Sequence, residues 1–178
     1  MNAIAILEHE HEAILCGIGL LEKALAEAIG GDTDAKADLP ELVRFLKGFA
    51  DTCHHGKEEG ILFPAMEAAG IPKDGGPIGV MLDEHDRGRA FVAGMRTAME
   101  TGDWAGEFSR NAAGFAQLLR AHIDKENGVL FPMGKNALGD ARLEAMGADF
   151  DRFEETVMGK GEHERLHAML DGFSAKYE

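Results

Sequence analysis

Eight histidines stand among 32 acidic residues in this 178-residue chain. A few of them recur at a spacing that can do chemistry. His54 and Glu58 are four residues apart, and so are His122 and Glu126. Residues at i and i+4 of a helix lie on one face, about 6 Å apart. Each pair therefore points an imidazole and a carboxylate the same way. Those two donor types together suit iron, zinc or manganese, and the donors alone do not choose among them.

One His-x-x-x-Glu is expected about once by chance in a chain this rich in both residues, and alone it reads as a solvated helix pair. Here it is doubled. His54-His-Gly-Lys-Glu-Glu-Gly-Ile-Leu-Phe-Pro64 aligns with His122-Ile-Asp-Lys-Glu-Asn-Gly-Val-Leu-Phe-Pro132, with seven of eleven positions identical. Glu10-His11 likewise matches Glu84-His85. The chain reads as a duplicated helical hairpin, with a lone histidine on each first helix and a His-x-x-x-Glu on each second. Gathered in one bundle, His11, His54, His85, His122, Glu58 and Glu126 would converge inside it. Buried carboxylates need a compensating partner. Two metal ions, bridged by the carboxylates and completed by the imidazoles, supply one.

His55 competes with His54, because His55 and Glu59 are also four apart. Uninterrupted helical spacing sets His54 with Val43, Ala50 and Ile61. It sets His55 with Arg44, Gly48 and Asp51, a wet face. The repeat pairs His54 with His122 but gives His55 an isoleucine, Ile123. His54 is thus expected as the ligand, and His55 as a supplementary ligand or a neighbour behind the ligands. His9 lies about 200° from His11 around the first helix and is expected on the surface.

The elements that must position these residues are helices. Ile4, Leu7, His11, Ile14, Ile18, Leu21 and Leu25 form one stripe on a helix from about Ala3 to Ile29, ended by Gly30-Gly31. Asp38, Pro40 and Glu41 resemble a helix start, so a second helix is expected from there to about Ala69. Pro77 opens a third, to about Thr101, and Asp103 caps a fourth, to about Asn136. Pro64 and Pro132 should kink or end their helices. Short joins make residues 1–136 an up-down-up-down four-helix bundle, an all-α fold. Residues 137–178 are expected as an extension packed on it within the same domain, with helices at about Asp140 to Met158 and Glu162 to Lys176.

The chain as a whole narrows the class. A net charge of −14 argues against nucleic acid, because no basic patch could hold phosphate against it. No stretch approaches the ~18 apolar residues of a membrane span. Residues 1–7 lack the basic flank of a secretory signal, and two cysteines are too few for a disulfide framework, so the expected compartment is the cytoplasm. Cys16 and Cys53 are expected as small buried residues. The nine methionines and ten phenylalanines are expected mainly as core filler.

The spacing His11, His54-x-x-x-Glu58, His85, His122-x-x-x-Glu126 resembles that of hemerythrin-like (HHE cation-binding) domains over about residues 1–136. Gly161-Glu-His163 and His167 resemble the C-terminal extension of bacterial members. The resemblance implies a four-helix bundle around a non-haem di-iron centre with an oxo or hydroxo bridge. It implies Glu58 and Glu126 bridging, His11 and His54 on one iron, and His85 and His122 on the other. It also implies a small ligand: oxygen, nitric oxide or hydrogen peroxide, in sensing, stress defence or peroxide breakdown. Oxygen carriers have a further histidine where this chain has Arg89, and an aspartate at +5 where it has Glu126 at +4. One iron therefore lacks an expected nitrogen. His163 and His167, four apart on the last helix, have two readings: structural histidines on a docked helix, or a role at the metal site. An iron storage or delivery protein would use the same ligands. A ferritin-like dimetal site, with Glu8-x-x-His11 and Glu164-x-x-His167 as its strings, is the remaining metal reading, although these two are not repeat-related.

Overall fold

A computed structural model describes residues 1–177. All its regular elements are helical, with no strand among the described residues. Helix α1 is Ala3–Ile29, its N-terminus capped by Asn2, whose side chain accepts from the Ala5 amide. The next rod, α2, covers residues 33–68 and is not uniform. It runs as α-helix over Thr33–Phe45, widens to π-type i→i+5 turns over Leu46–His55 and again over Glu58–Leu62, and closes as Phe63–Ala68. Helix α3 is Pro77–Thr101. Helix α4 covers 104–138, with π-type turns at Trp104–Phe108 and Glu126–Leu130. Helix α5 covers 140–158 and α6 is Glu162–Lys176.

The second helix starts earlier than its sequence suggests. Asp32, not Asp38, is the cap, its carboxylate accepting from the Asp34 and Ala35 amides at 2.8 and 2.9 Å. Pro40 then lies inside the helix. Residues 33–38 look polar enough for a loop, but Ala35 and Leu39 bury against the bundle. That burial outweighs weak local propensity.

Pro64 and Pro132 do not end their helices. Each proline lacks a donor and crowds the carbonyl four residues back. The chain answers by widening the turn just before it. The Phe63 amide bonds to the Glu58 carbonyl, and the Phe131 amide to the Glu126 carbonyl, both five residues back. Such π-type insertions are frequent at functional sites, and here each begins at a glutamate of the repeated motif.

Helices α1 to α4 close into an up-down-up-down ring, α1 against α2 and α4, α3 against α2 and α4. Two apolar clusters fill it. One holds Ile14, Ile18, Phe45, Phe49, Met95, Phe115 and Leu119. The other holds Ile4, Leu7, Phe63, Met81, Leu130 and Phe131. Leu166 and Leu170 of α6 join the first, and Leu143, Met146 and Phe150 of α5 join the second. Gly159 and Gly161, at φ 93° and 82°, make the turn between α5 and α6 in a region that disfavours other residues. Along each of the four ring helices the two clusters meet at the histidine-bearing turn. No described helix is long and apolar enough to cross a membrane.

Candidate metal centre

The layer between the two clusters is where the repeated residues meet. His11, His54, His85, His122, Glu58 and Glu126 are all essentially inaccessible, none above 1% exposed. Donor atoms of His11, His54, Glu58 and Glu126 lie within 4.8 Å of one another, as do those of His55, Glu58, His85 and His122. Glu58 belongs to both sets. Its Oε1 is 3.6 Å from His54 Nε2 and its Oε2 is 3.4 Å from His85 Nε2. Glu126 Oε2 is 3.1 Å from His11 Nε2 and 3.3 Å from His122 Nε2. Each carboxylate thus faces an imidazole of either hairpin.

The other ring nitrogen of each histidine is already committed. His54 Nδ1 donates to Glu10 Oε2 at 2.9 Å, and His122 Nδ1 to Glu84 Oε2 at 2.9 Å. His11 Nδ1 donates to Asn127 Oδ1 at 2.9 Å, and His85 Nδ1 to Glu59 Oε1 at 2.7 Å. These oxygens can only accept, so each Nδ1 carries a proton and each Nε2 faces inward, those of His85 and His122 lying 3.1 Å apart. The repeat explains the pattern. Each Glu-His doublet spends its glutamate on a histidine of the next helix, and the residue after each motif glutamate, Glu59 or Asn127, holds the opposite lone histidine. Lysine three residues after the histidine pins the same glutamate: Lys57 donates to Glu10, and Lys125 to Glu84. Phe131 stacks on His11 at 5.4 Å and Phe63 on His85 at 5.9 Å. None of these supporting roles follows from the His-x-x-x-Glu spacing. Their signal was the rest of the duplicated string, Lys, Glu or Asn, and Phe.

His55 is a correction. It is buried, not on a wet face, and its ring stacks on His85 with centroids 3.8 Å apart. The wheel that set it beside Arg44 assumed an unbroken α-helical period. The π-type turns over Leu46–His55 hold extra residues per turn, so His54 and His55 both reach the interior. The space that Arg89 left without a histidine therefore has His55 beside it. Arg89 itself turns outward to Asp51, Glu59 and Asp86, at 2.7, 2.6 and 2.9 Å.

His163 and His167 do not join the cluster. Their rings pack on Phe49 at 5.3 and 5.1 Å. His9 is largely exposed and paired with Glu12. Cys16 is exposed, contrary to expectation, whereas Cys53 is buried. Burial, reinforced by Glu10 and Glu154, pushes the Cys53 thiol up to about 12 despite Lys57, so it stays protonated. The ferritin-like pairing fails on placement, because Glu8 is bonded outward to Lys135 and His167 lies against Phe49.

The electrostatics suit cations. Burial and the neighbouring Glu126 push Glu58 well above the usual carboxylate range. Burial acts the same way on Glu126, but His122 and His11 outweigh it and hold that carboxyl low. Burial holds His54 and His55 well below the usual imidazole range, helped by His11 and His85 respectively, so both are neutral and free to ligate. No protein partner satisfies His11 Nε2, His54 Nε2, either nitrogen of His55, or any carboxylate oxygen of Glu58 and Glu126. Buried polar atoms are rarely left so, and two cations among them would satisfy the set.

Glu59 gives a pH prediction. Burial pushes it up, but bonds from His85 and Arg89 outweigh that and hold it at about 2, against 4.5 for the free side chain. A depressed carboxylate stabilises the fold fully above about 4.5 and loses that contribution as pH falls towards about 2. The melting temperature of metal-free protein should therefore fall more steeply over that window in wild type than in Glu59→Gln. Parallel curves would contradict the assignment.

A model of the hemerythrin HHE cation-binding domain matches residues 2–134. No curated protein and no solved structure shows a significant match. The match spans nearly all of the four-helix ring and covers the two fully buried His/Glu groups that share Glu58, whose composition suggests a dimetal site. The chain belongs to the hemerythrin HHE cation-binding domain family.

Proposed function

We propose that the buried layer is a non-haem di-iron centre that binds or reacts with a small diatomic or peroxide ligand: oxygen, nitric oxide or hydrogen peroxide. Glu58 and Glu126 would be shared between the ions, with His11 and His54 holding one and His85, His122 and His55 the other. The observation that carries this reading is the convergence of unpartnered, fully buried nitrogen and oxygen atoms from α1, α2 and α4, with His85 of α3 in the same donor group. When bound, the irons supply redox change and an open coordination position.

The chain's own residues prepare that chemistry. Glu10, Glu84, Glu59 and Asn127 fix each imidazole's tautomer and orientation, as outer hydrogen-bond partners of ligating histidines do. Phe63 and Phe131 wall the layer and keep it dry. The set around His11 and His54 has one nitrogen fewer than the set around His85, which would leave room for the small ligand on the His11 side. The same enclosure favours holding the ions over releasing them, which fits storage or delivery less well.

Two experiments test this. Oxygen, nitric oxide and peroxide are added in turn to iron-loaded protein while its absorption spectrum is recorded. At least one should shift it, and indifference to all three would sink the reading. Replacing His55 with Ile, the residue of the other hairpin, should weaken one of the two ions by more than about tenfold. An unchanged affinity and spectrum would remove His55 from the ligand set.

A further inference from the structure

Outside the central layer, the His163–His167 pair of α6 has no part in the reading above. The two rings are tilted at 46° to each other with centroids 4.7 Å apart and Nε2 to Nε2 at 3.1 Å. One N–H···N bond would satisfy that separation. So would a cation ligated by both nitrogens, since two Zn–N bonds of about 2.0–2.1 Å spanning a tetrahedral or octahedral angle put the nitrogens about 3 Å apart.

The surroundings favour the cation. His163 Nδ1 faces Glu154 Oε2 at 3.5 Å and has no hydrogen-bond partner. The Glu154 carboxylate thus lies behind the ring without a hydrogen bond to it, while His163 Nε2 faces His167. The pair is accessible, with His163 about a quarter exposed, beside a surface pocket of about 320 Å³. Asp151, Glu154, Glu155 and Glu164 line that pocket against a single Lys160, so its field attracts cations.

A neighbouring group, Glu10, Cys53, Glu154 and His163, looks similar but is already served. The Lys57 ammonium sits between Glu10 and Glu154, 2.6 Å from Glu154 Oε1, and supplies the positive charge that group needs.

We propose that His163 and His167 form a separate, solvent-accessible chelate on α6 for one divalent first-row cation that prefers nitrogen, such as zinc, nickel or cobalt. The acidic pocket beside it, with Glu154 behind His163, gathers the ion. The chain Glu154, Lys57, Glu10, His54 then links this site by direct contacts to the buried layer.

The test is equilibrium dialysis of the full chain against Co²⁺, with the iron-loaded protein as the main sample and the metal-free protein alongside. Wild type should bind one equivalent more than His163→Gln and one more than His167→Gln, in both samples. The iron absorption of the loaded protein should be the same in all three proteins. Because the readout is a difference of one equivalent, it does not depend on what the central layer holds. Equal cobalt uptake by wild type and both variants would overturn the proposal. Should His163→Gln disturb packing on Phe49, seen as lost helicity, His167→Gln alone decides it.

Discussion

Replacing Glu58 with Gln is expected to empty both halves of the buried centre at once. Glu58 is the residue common to the two donor groups, with one oxygen aimed at His54 and the other at His85. A glutamine keeps the shape but offers one weak oxygen and an N–H pair that repels a cation. Bound iron should fall from two per chain towards zero. Glu59→Gln is the control. Glu59 touches no donor atom directly but holds His85 Nδ1, so that change should keep two ions with about 10–100-fold weaker binding. The fold should not suffer in Glu58→Gln. Without metal, burial and Glu126 already disfavour a charge on Glu58, so the metal-free variant should melt no lower than metal-free wild type. Equal iron losses in the two variants, or a melting temperature that drops with the iron, would contradict this assignment.

The second large effect is expected at Lys57. Its side chain is fully buried, its ammonium bonded to Glu10 and Glu154, over the Phe150 ring at 5.5 Å. Burial alone would make it easier to neutralise, but Glu10 and the other acidic neighbours outweigh that and hold it charged. Lys57→Met leaves Glu10 and Glu154 without their cation. Removing one partner of a buried ion pair costs about 3–5 kcal/mol. In a chain of this size that lowers the melting temperature by roughly 6–20 °C. His54 should also lose its fixed orientation, so iron binding should weaken with stability. Lys125→Met, at the matching place in the other hairpin, should cost only about 0–1 kcal/mol. Lys125 pins Glu84 in the same way but is 42% exposed, so water can take its place. Adding Glu10→Gln to Lys57→Met should restore much of the stability, because the buried charge goes with its partner. Similar losses in the two lysine variants would show that burial by α5 and α6 does not set the difference.

These contrasts show which levels of the structure the sequence discloses. The doublets Glu10-His11 and Glu84-His85 and the two eleven-residue strings were legible, because duplication makes a weak spacing specific. So were the helices and their glycine breaks, since apolar periodicity and positive φ leave a local signal. His55 was misplaced for a local reason that spacing cannot carry. A π-type turn shifts every later residue around the axis, and the one over Leu46–His55 has no proline or other local signal in the sequence to mark it. The start of α2 was misplaced because burial of Ala35 and Leu39 decides it, while the capping signal at Asp38 is only local. Lys57 and Lys125 have the same sequence context, yet only Lys57 is covered by the extension, through Glu154 and Phe150. That difference belongs to tertiary structure alone.

The central claim is that four histidines, two glutamates and His55 hold two irons in the bundle. Metal analysis of the full chain purified from iron-supplied cells tests it most directly, with helicity measured on the same sample. The account predicts close to two irons per folded chain, held by seven side chains that the fold itself buries. A correctly folded protein carrying essentially no iron, and taking none up when it is supplied, would contradict it.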